Sequence, residues 1–270
     1  MLLKRADNAA ALGLDVWEFT ALSLLRPYGK LFLGSILLRR PDRLLAGTWT
    51  YGRQVRPART ADHAPVGVSS WQSLESELAE GPWLVGMGFC QKPLAPPCPS
   101  GRFNHECWFL TRPEGAGTPP ACRTCHIREI AERALAAGAA IYIMTSASDV
   151  ARDLLLPALR NSTLRRVVLS VCPLSVPPLT LAMTICGLRG FVDSYSEGDC
   201  RDFATWLRAD EGDKPELTRL PPEAHARLLA RLENVAAARG RRNVPKPQAY
   251  HQAGNLYLPN NGDRRNFALG

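Results

Sequence analysis

The 270-residue chain lacks an uninterrupted apolar run of the ~20 residues a helix needs to span a bilayer. Its longest apolar stretch, residues 19–38, is broken by Arg26, Pro27 and Lys30, so no transmembrane segment is expected. The opening MLLKRADNAAALGLD has no secretory pattern: Asp7, Asn8 and Asp15 fall where an apolar leader core would run. A cytoplasmic location is therefore expected. Eight cysteines are too sparse for a small disulfide scaffold. In a reducing compartment, clustered cysteines read as metal ligands or redox thiols. The chain also has no phosphate loop, no GxGxxG, no HExxH, no Ser–His–Asp arrangement and no internal repeat. Nucleic-acid binding ranks low, because no basic surface interleaved with aromatics is visible.

Hydrophobic residues make up 46% of the chain and charged residues 21%, the balance of a globular protein with a core. The net charge of +8 is uneven. Residues 1–60 carry ten Lys/Arg against four Asp/Glu, and residues 239–270 carry six against one, which leaves the middle slightly acidic. The basic ends are expected to be solvated arms or docking faces for a protein partner. The N-terminal one, if amphipathic, also suits peripheral contact with an anionic membrane surface.

The apolar spacing of Leu12, Val16, Phe19, Leu22 and Leu25 predicts a helix over 9–25, and Leu31–Leu38 a second apolar segment. Residues 1–48 thus read as a helical hairpin with its break at Pro27. Residues 49–82 read as a linker with a short helix near Ser70–Leu78. Residues 83–210 carry the main pattern. Short apolar strands at 83–90, 140–144, 166–171 and 190–193 alternate with helices at 127–137, 149–159 and 179–186. Alternation of this kind predicts an α/β fold: a small parallel sheet with helices on both faces, Rossmann-like or flavodoxin-like. Residues 211–270 read as an amphipathic helix over 221–238 and a basic tail.

One loop breaks the pattern. Residues 91–121 contain seven prolines and no periodicity, and so long an irregular stretch is unusual unless it is functional. Cys90, Cys98, Cys107, Cys122 and Cys125 lie within or beside it, five of the eight cysteines in 36 residues. The tightest spacing is Cys122-Arg-Thr-Cys125, which enters a helix whose first N–H groups and dipole favour thiolate. Cys90 and Cys172 each end a strand, and ligand sites of open α/β sheets lie beyond those carboxyl ends. Six thiols are thus expected to meet at one edge. Cys98, Cys107, Cys122 and Cys125 are the first-choice metal ligands. Cys90 and Cys172 are alternates or second-site thiols that contact a cofactor or substrate. Four thiolates suit a [4Fe–4S] cluster, which the rigid apolar loop would shield, or a structural zinc.

Weaker signals are His105 and His126 as substitute ligands, and Arg102 as a cluster-neutralising or merely solvated arginine. The turn Thr145–Ser148 reads as a helix cap first and a ligand contact second. Cys186 reads as core packing, and Cys200 has no partner signature. Cys122–His126 matches the haem c pattern CxxCH, which ranks low without export.

Cys90 after a strand, CPSGRFNHEC at 98–107, CRTCHIREI at 122–130, IYIMTSAS at 141–148 and VVLSVCP at 167–173 together resemble the bacterial and archaeal family catalogued as domain of unknown function 116. The likeness covers residues 83–195. It departs where TSAS replaces a glycine-rich turn, and where PLSVPPL follows Cys172 in place of an acidic, glycine-containing segment. It implies a cysteine-ligated cluster and names no reaction. The expected function is an iron–sulfur protein in electron transfer or an accessory to cofactor or metabolite biosynthesis. The alternatives are a zinc-stabilised binding module and a thiol-dependent enzyme using Cys90 or Cys172.

Overall fold

The computed structural model describes residues 26–58, 60, 63–111, 117–160, 163–240 and 250–259. The helix expected over 9–25 and most of the basic tail lie outside these residues. Described helices are α1 (Pro27–Arg39), α2 (Pro41–Thr50), α3 (Trp71–Glu80) and α4 (His126–Ala136). Next comes α5, continuous through Ala147–Val150, Ala151–Leu155 and Leu156–Leu159 with its middle five residues wound more widely, followed by α6 (Val176–Cys186), α7 (Phe203–Asp210) and α8 (Pro222–Ala238). Strands are β1 (His63–Val66), β2 (Trp83–Gly88), β3 (Ala140–Met144), β4 (Arg166–Val171), β5 (Arg189–Ser194), β6 (Tyr250–Ala253) and β7 (Leu256–Pro259).

The fold is α/β, as expected, but the sheet is neither small nor purely parallel. Seven strands run in the order β1-β5-β4-β2-β3-β7-β6. Four central strands are parallel, with β2 between β3 and β4, and β5 beyond β4. Antiparallel β1 covers one edge, and the antiparallel β7–β6 hairpin covers the other. These additions cap edges that would otherwise present unpaired N–H and C=O groups. They arise in segments read as linker and tail. Pro65 and the shortness of β1 hide it from a strand pattern.

Two-sided burial explains the continuous apolar strands. Every residue of β3 is buried, as befits a parallel strand covered on both faces. Val85, Met87, Ile141, Ile143, Val168 and Phe191 pack toward α3, α4 and α8. Their neighbours Leu84, Ala140, Tyr142, Val167, Leu169 and Val192 pack on the opposite face with residues of α1, α5 and α6. Each fully buried Val or Ile contributes roughly 1.5–3 kcal/mol. Gly190 is required where β5 meets β4: its φ is +146°, and a Cβ there would stand 1.7 Å from the Val167 carbonyl oxygen.

The strand order has a direct consequence. From β2 the chain goes to β3 on one side and later to β4 on the other, so the carboxyl ends of β2 and β4 flank the switch point. Cys90 follows β2 within the 3-10 turn Phe89–Gln91, and Cys172 follows β4 directly.

Candidate metal centre and the second thiol group

All eight cysteines are unbridged, and they do not gather at a single place. Cys98, Cys107, Cys122 and Cys125 line one small void of about 10 Å³, with Lys92, Trp108, Phe109 and Ile143 among its other walls. Cys90, Cys172 and Cys200 line a separate cavity of about 260 Å³. The expected convergence of six thiols is thereby corrected. The four first-choice ligands share one void, whereas Cys90 and Cys172 join Cys200.

The first group is assembled from local turns. The Cys98 N–H donates to the Pro93 carbonyl at 3.1 Å, and the Gly101 N–H donates to the Cys98 carbonyl at 3.0 Å. The Cys107 N–H donates to the Tyr257 hydroxyl at 2.9 Å, which donates to the His105 carbonyl at 3.2 Å. Cys122 sits in the single helical turn Pro120–Arg123, its N–H bonded to the Pro119 carbonyl at 3.0 Å. Cys125 is the N-cap of α4.

Lys92 is buried against these thiols, and its Nζ donates to the Asn104 carbonyl at 2.9 Å and to Asn104 Oδ1 at 2.5 Å. Arg102 neither floats in solvent nor faces the void. It donates to the carbonyls of Cys90 (3.1 Å), Glu216 (2.9 Å) and Lys214, tying the loop to the segment before α8.

Electrostatics in this group are dominated by burial. Burial pushes the Cys107 thiol up to about 12, against backbone N–H groups at Leu110 and Phe109. Burial also pushes Cys125 up to about 11, although the first N–H groups of α4, at Arg128 and Ile127, work to lower it. The helix terminus thus favours thiolate at Cys125, as its position in the sequence implies, and loses to desolvation. Burial likewise lowers the Lys92 ammonium, with the surrounding thiols opposing. Among the described residues, no three His, Cys, Asp or Glu side chains are drawn together tightly enough to form a metal site as they stand.

Comparison with protein-family models, with curated proteins and with solved structures returns no match.

The donor set of the first group is four thiols beside a buried cation, in an apolar surround of Trp108, Phe109, Ile127 and Ile143. Four thiolates of this kind match the ligands of a [4Fe–4S] cluster or of a zinc ion. His105 and His126 are not part of the set. His105 Nδ1 lies 2.8 Å from the Ile143 carbonyl oxygen, its Nε2 lies 3.2 Å from Thr145 Oγ1, and its ring stacks on Tyr142. His126 packs against His225 with ring centroids 4.4 Å apart.

The second group is built on the sheet. The Cys200 N–H donates to Cys172 Sγ at 3.3 Å. The Thr218 N–H donates to the Cys90 carbonyl at 3.1 Å, and the Tyr195 hydroxyl accepts the Gly88 N–H at 2.9 Å. Cys200 is the residue the sequence reading passes over. It stands 28 positions from Cys172, and only the return of the chain after β5 brings the two together. Two weaker expectations hold. Ser146 caps α5 by accepting the Asp149 N–H at 3.2 Å, and Cys186 is buried in the core beside Ile185.

Proposed function

We propose that Cys98, Cys107, Cys122 and Cys125 hold a [4Fe–4S] cluster. In this reading the chain acts in electron transfer, or as an accessory to cofactor or metabolite biosynthesis. The observation that carries it is that four cysteines from separate stretches of an irregular loop and a helix start line one void. A hydrophobic core alone gives little reason for a proline-rich loop to bring four thiols and a lysine together, because burying Lys92 with only the exposed Glu106 carboxylate beside it is unfavourable. A cluster bound by four thiolates would supply that negative charge and one-electron chemistry.

At about 10 Å³ the void would have to widen to admit a cluster, and Lys92–Cys107, with little regular structure, would be the segment to give. Zinc is the rival filling for the same four thiolates.

The frame completes the proposal. The order β5-β4-β2-β3 of the four parallel strands supports reading the frame as flavodoxin-like. Membership of the family catalogued as domain of unknown function 116 belongs to the same reading. No described helix is long and apolar enough to cross a membrane. α2 exposes Leu45 and Trp49 at 75% and 68%, with Arg53 over the Trp49 ring at 5.4 Å. This favours docking of the basic N-terminal region on a protein partner or a membrane surface. A cytoplasmic location is part of the proposal.

The test is purification without oxygen, followed by iron, sulfide and zinc analysis and a visible spectrum. A brown protein with broad absorbance near ~400 nm supports the cluster. A colourless protein with stoichiometric zinc supports the rival, and a metal-free protein overturns both.

A further inference from the structure

We propose that Cys172 and Cys200 form a redox-active dithiol that exchanges with the disulfide of an apolar ligand lodged in the adjoining cavity. This inference stands apart from the metal centre, since it uses other cysteines and another cavity.

Three observations carry it. The first is contact: the Cys200 N–H donates to Cys172 Sγ at 3.3 Å, which places the two cysteines side by side. The second is placement. Both cysteines line the cavity at the switch point between β2 and β4, the usual ligand position in such sheets. The third is the character of the cavity. It encloses about 260 Å³, and its lining is mostly apolar, with Phe32, Leu44, Leu155, Leu179 and Ile185 among the walls and Lys214 and Asp210 as charged members. An apolar ligand that carries sulfur matches that lining.

The surroundings also assign the roles. Neighbouring Cys172 lowers the Cys200 thiol, and Lys214, which lines the same cavity, adds to this against burial. Cys200 and burial raise Cys172, opposed by the Cys200 N–H that its sulfur accepts. In the proposal the Lys214 ammonium, which acts more on Cys200 than on Cys172, makes Cys200 the attacking thiolate. Its sulfur displaces one sulfur of the ligand disulfide, giving a Cys200–ligand mixed disulfide and one free ligand thiolate. Cys172 then attacks the Cys200 sulfur. Its proton passes to the departing ligand sulfur, and the Cys172–Cys200 disulfide forms. The ligand gains two electrons and becomes two thiols, and the protein dithiol loses two. The reverse sequence, starting from ligand thiols, restores the dithiol.

The experiment treats the full chain, reduced and kept without oxygen, with 2,2′-dithiodipyridine as an apolar disulfide. Oxidised glutathione serves as the polar comparison. Tandem mass spectrometry maps the products. The expected result is a Cys172–Cys200 link whose rate, with each probe normalised to its rate with free N-acetylcysteine, is at least tenfold higher for the apolar probe. C172S should stop at a mixed disulfide on Cys200. A182F, which fills the cavity from α6, should slow the apolar probe several-fold and leave the polar one unchanged. C172S and C200S should keep the iron content of the parent, which separates this proposal from the metal reading. Failure to form the Cys172–Cys200 link with excess probe overturns the proposal. Equal normalised rates with both probes overturn the assignment of an apolar ligand, and an unchanged apolar rate in A182F does the same.

Discussion

The two thiol groups differ in what holds them. Cys90 and Cys172 sit just beyond buried parallel strands, and hydrogen bonds within the sheet fix their positions to the core. Cys98 and Cys107 sit on irregular chain and Cys122 in a single helical turn, held by a few specific tethers: Lys92 to Asn104, Arg102 to three carbonyls, and Tyr257 to Cys107. A group built on a sheet can keep its geometry without a ligand. A group built on a loop gains most from one, because a bound metal adds its binding free energy to the order of the loop. In the proposed reading the metal belongs to the loop and the exchange chemistry to the strand ends.

The largest test of this contrast is removal of ligands. C122S/C125S is expected to lose essentially all bound metal and to make residues 91–121 rapidly cleavable by protease. C172S/C200S is expected to keep its metal and its resistant loop. Equal metal loss in both variants, by metal analysis, would erase the distinction.

Next is the clamp between the regions. Arg102 is the loop residue that reaches the Cys90 and Lys214 carbonyls. R102A should lower stability by about 3 kcal/mol, since it removes three charge-assisted bonds, while the Cys90 carbonyl keeps the Thr218 N–H. Urea unfolding measures it, and a loss below ~1 kcal/mol would mean that the loop is held elsewhere.

A third test concerns the cavity. Burial raises Asp210 to about 6 from 3.8, against a bond from the Ala147 N–H. The folded chain therefore keeps this proton where the unfolded chain has lost it. This contribution to stability is full below about pH 4 and is lost as pH rises to about 6, by up to ~3 kcal/mol. D210N keeps an acceptor for Ala147 and should flatten that part of the curve. An unchanged slope between pH 4 and 6 in D210N would contradict the assignment.

The smallest effect is expected at Tyr257. Y257F removes the hydroxyl that accepts the Cys107 N–H. It should cost about 1 kcal/mol and weaken metal retention, with no change in the rate of Cys172–Cys200 linkage. Slower linkage would show that the two regions are coupled.

The sequence was informative where local pattern decides structure. The central strands follow from short buried runs, and the four loop cysteines follow from their crowding and the CxxC spacing. It was silent where distant segments meet. The β6–β7 hairpin turns at Gly254-Asn255, a dipeptide that is itself a turn signal, yet its basic surroundings read as tail. Cys200 carries no local sign, because its partnership with Cys172 depends on how the chain returns after β5. Arg102 and His105 look like free loop residues until their carbonyl partners, which lie far along the chain, are known.

The partition itself is open to one direct measurement: alkylation footprinting of all eight thiols by mass spectrometry, with metal loaded and after chelation. The account predicts that metal shields Cys98, Cys107, Cys122 and Cys125 and leaves the labelling of Cys90, Cys172 and Cys200 unchanged. Metal-dependent shielding of Cys172 or Cys200, with Cys98 or Cys122 labelled equally in both states, would contradict it.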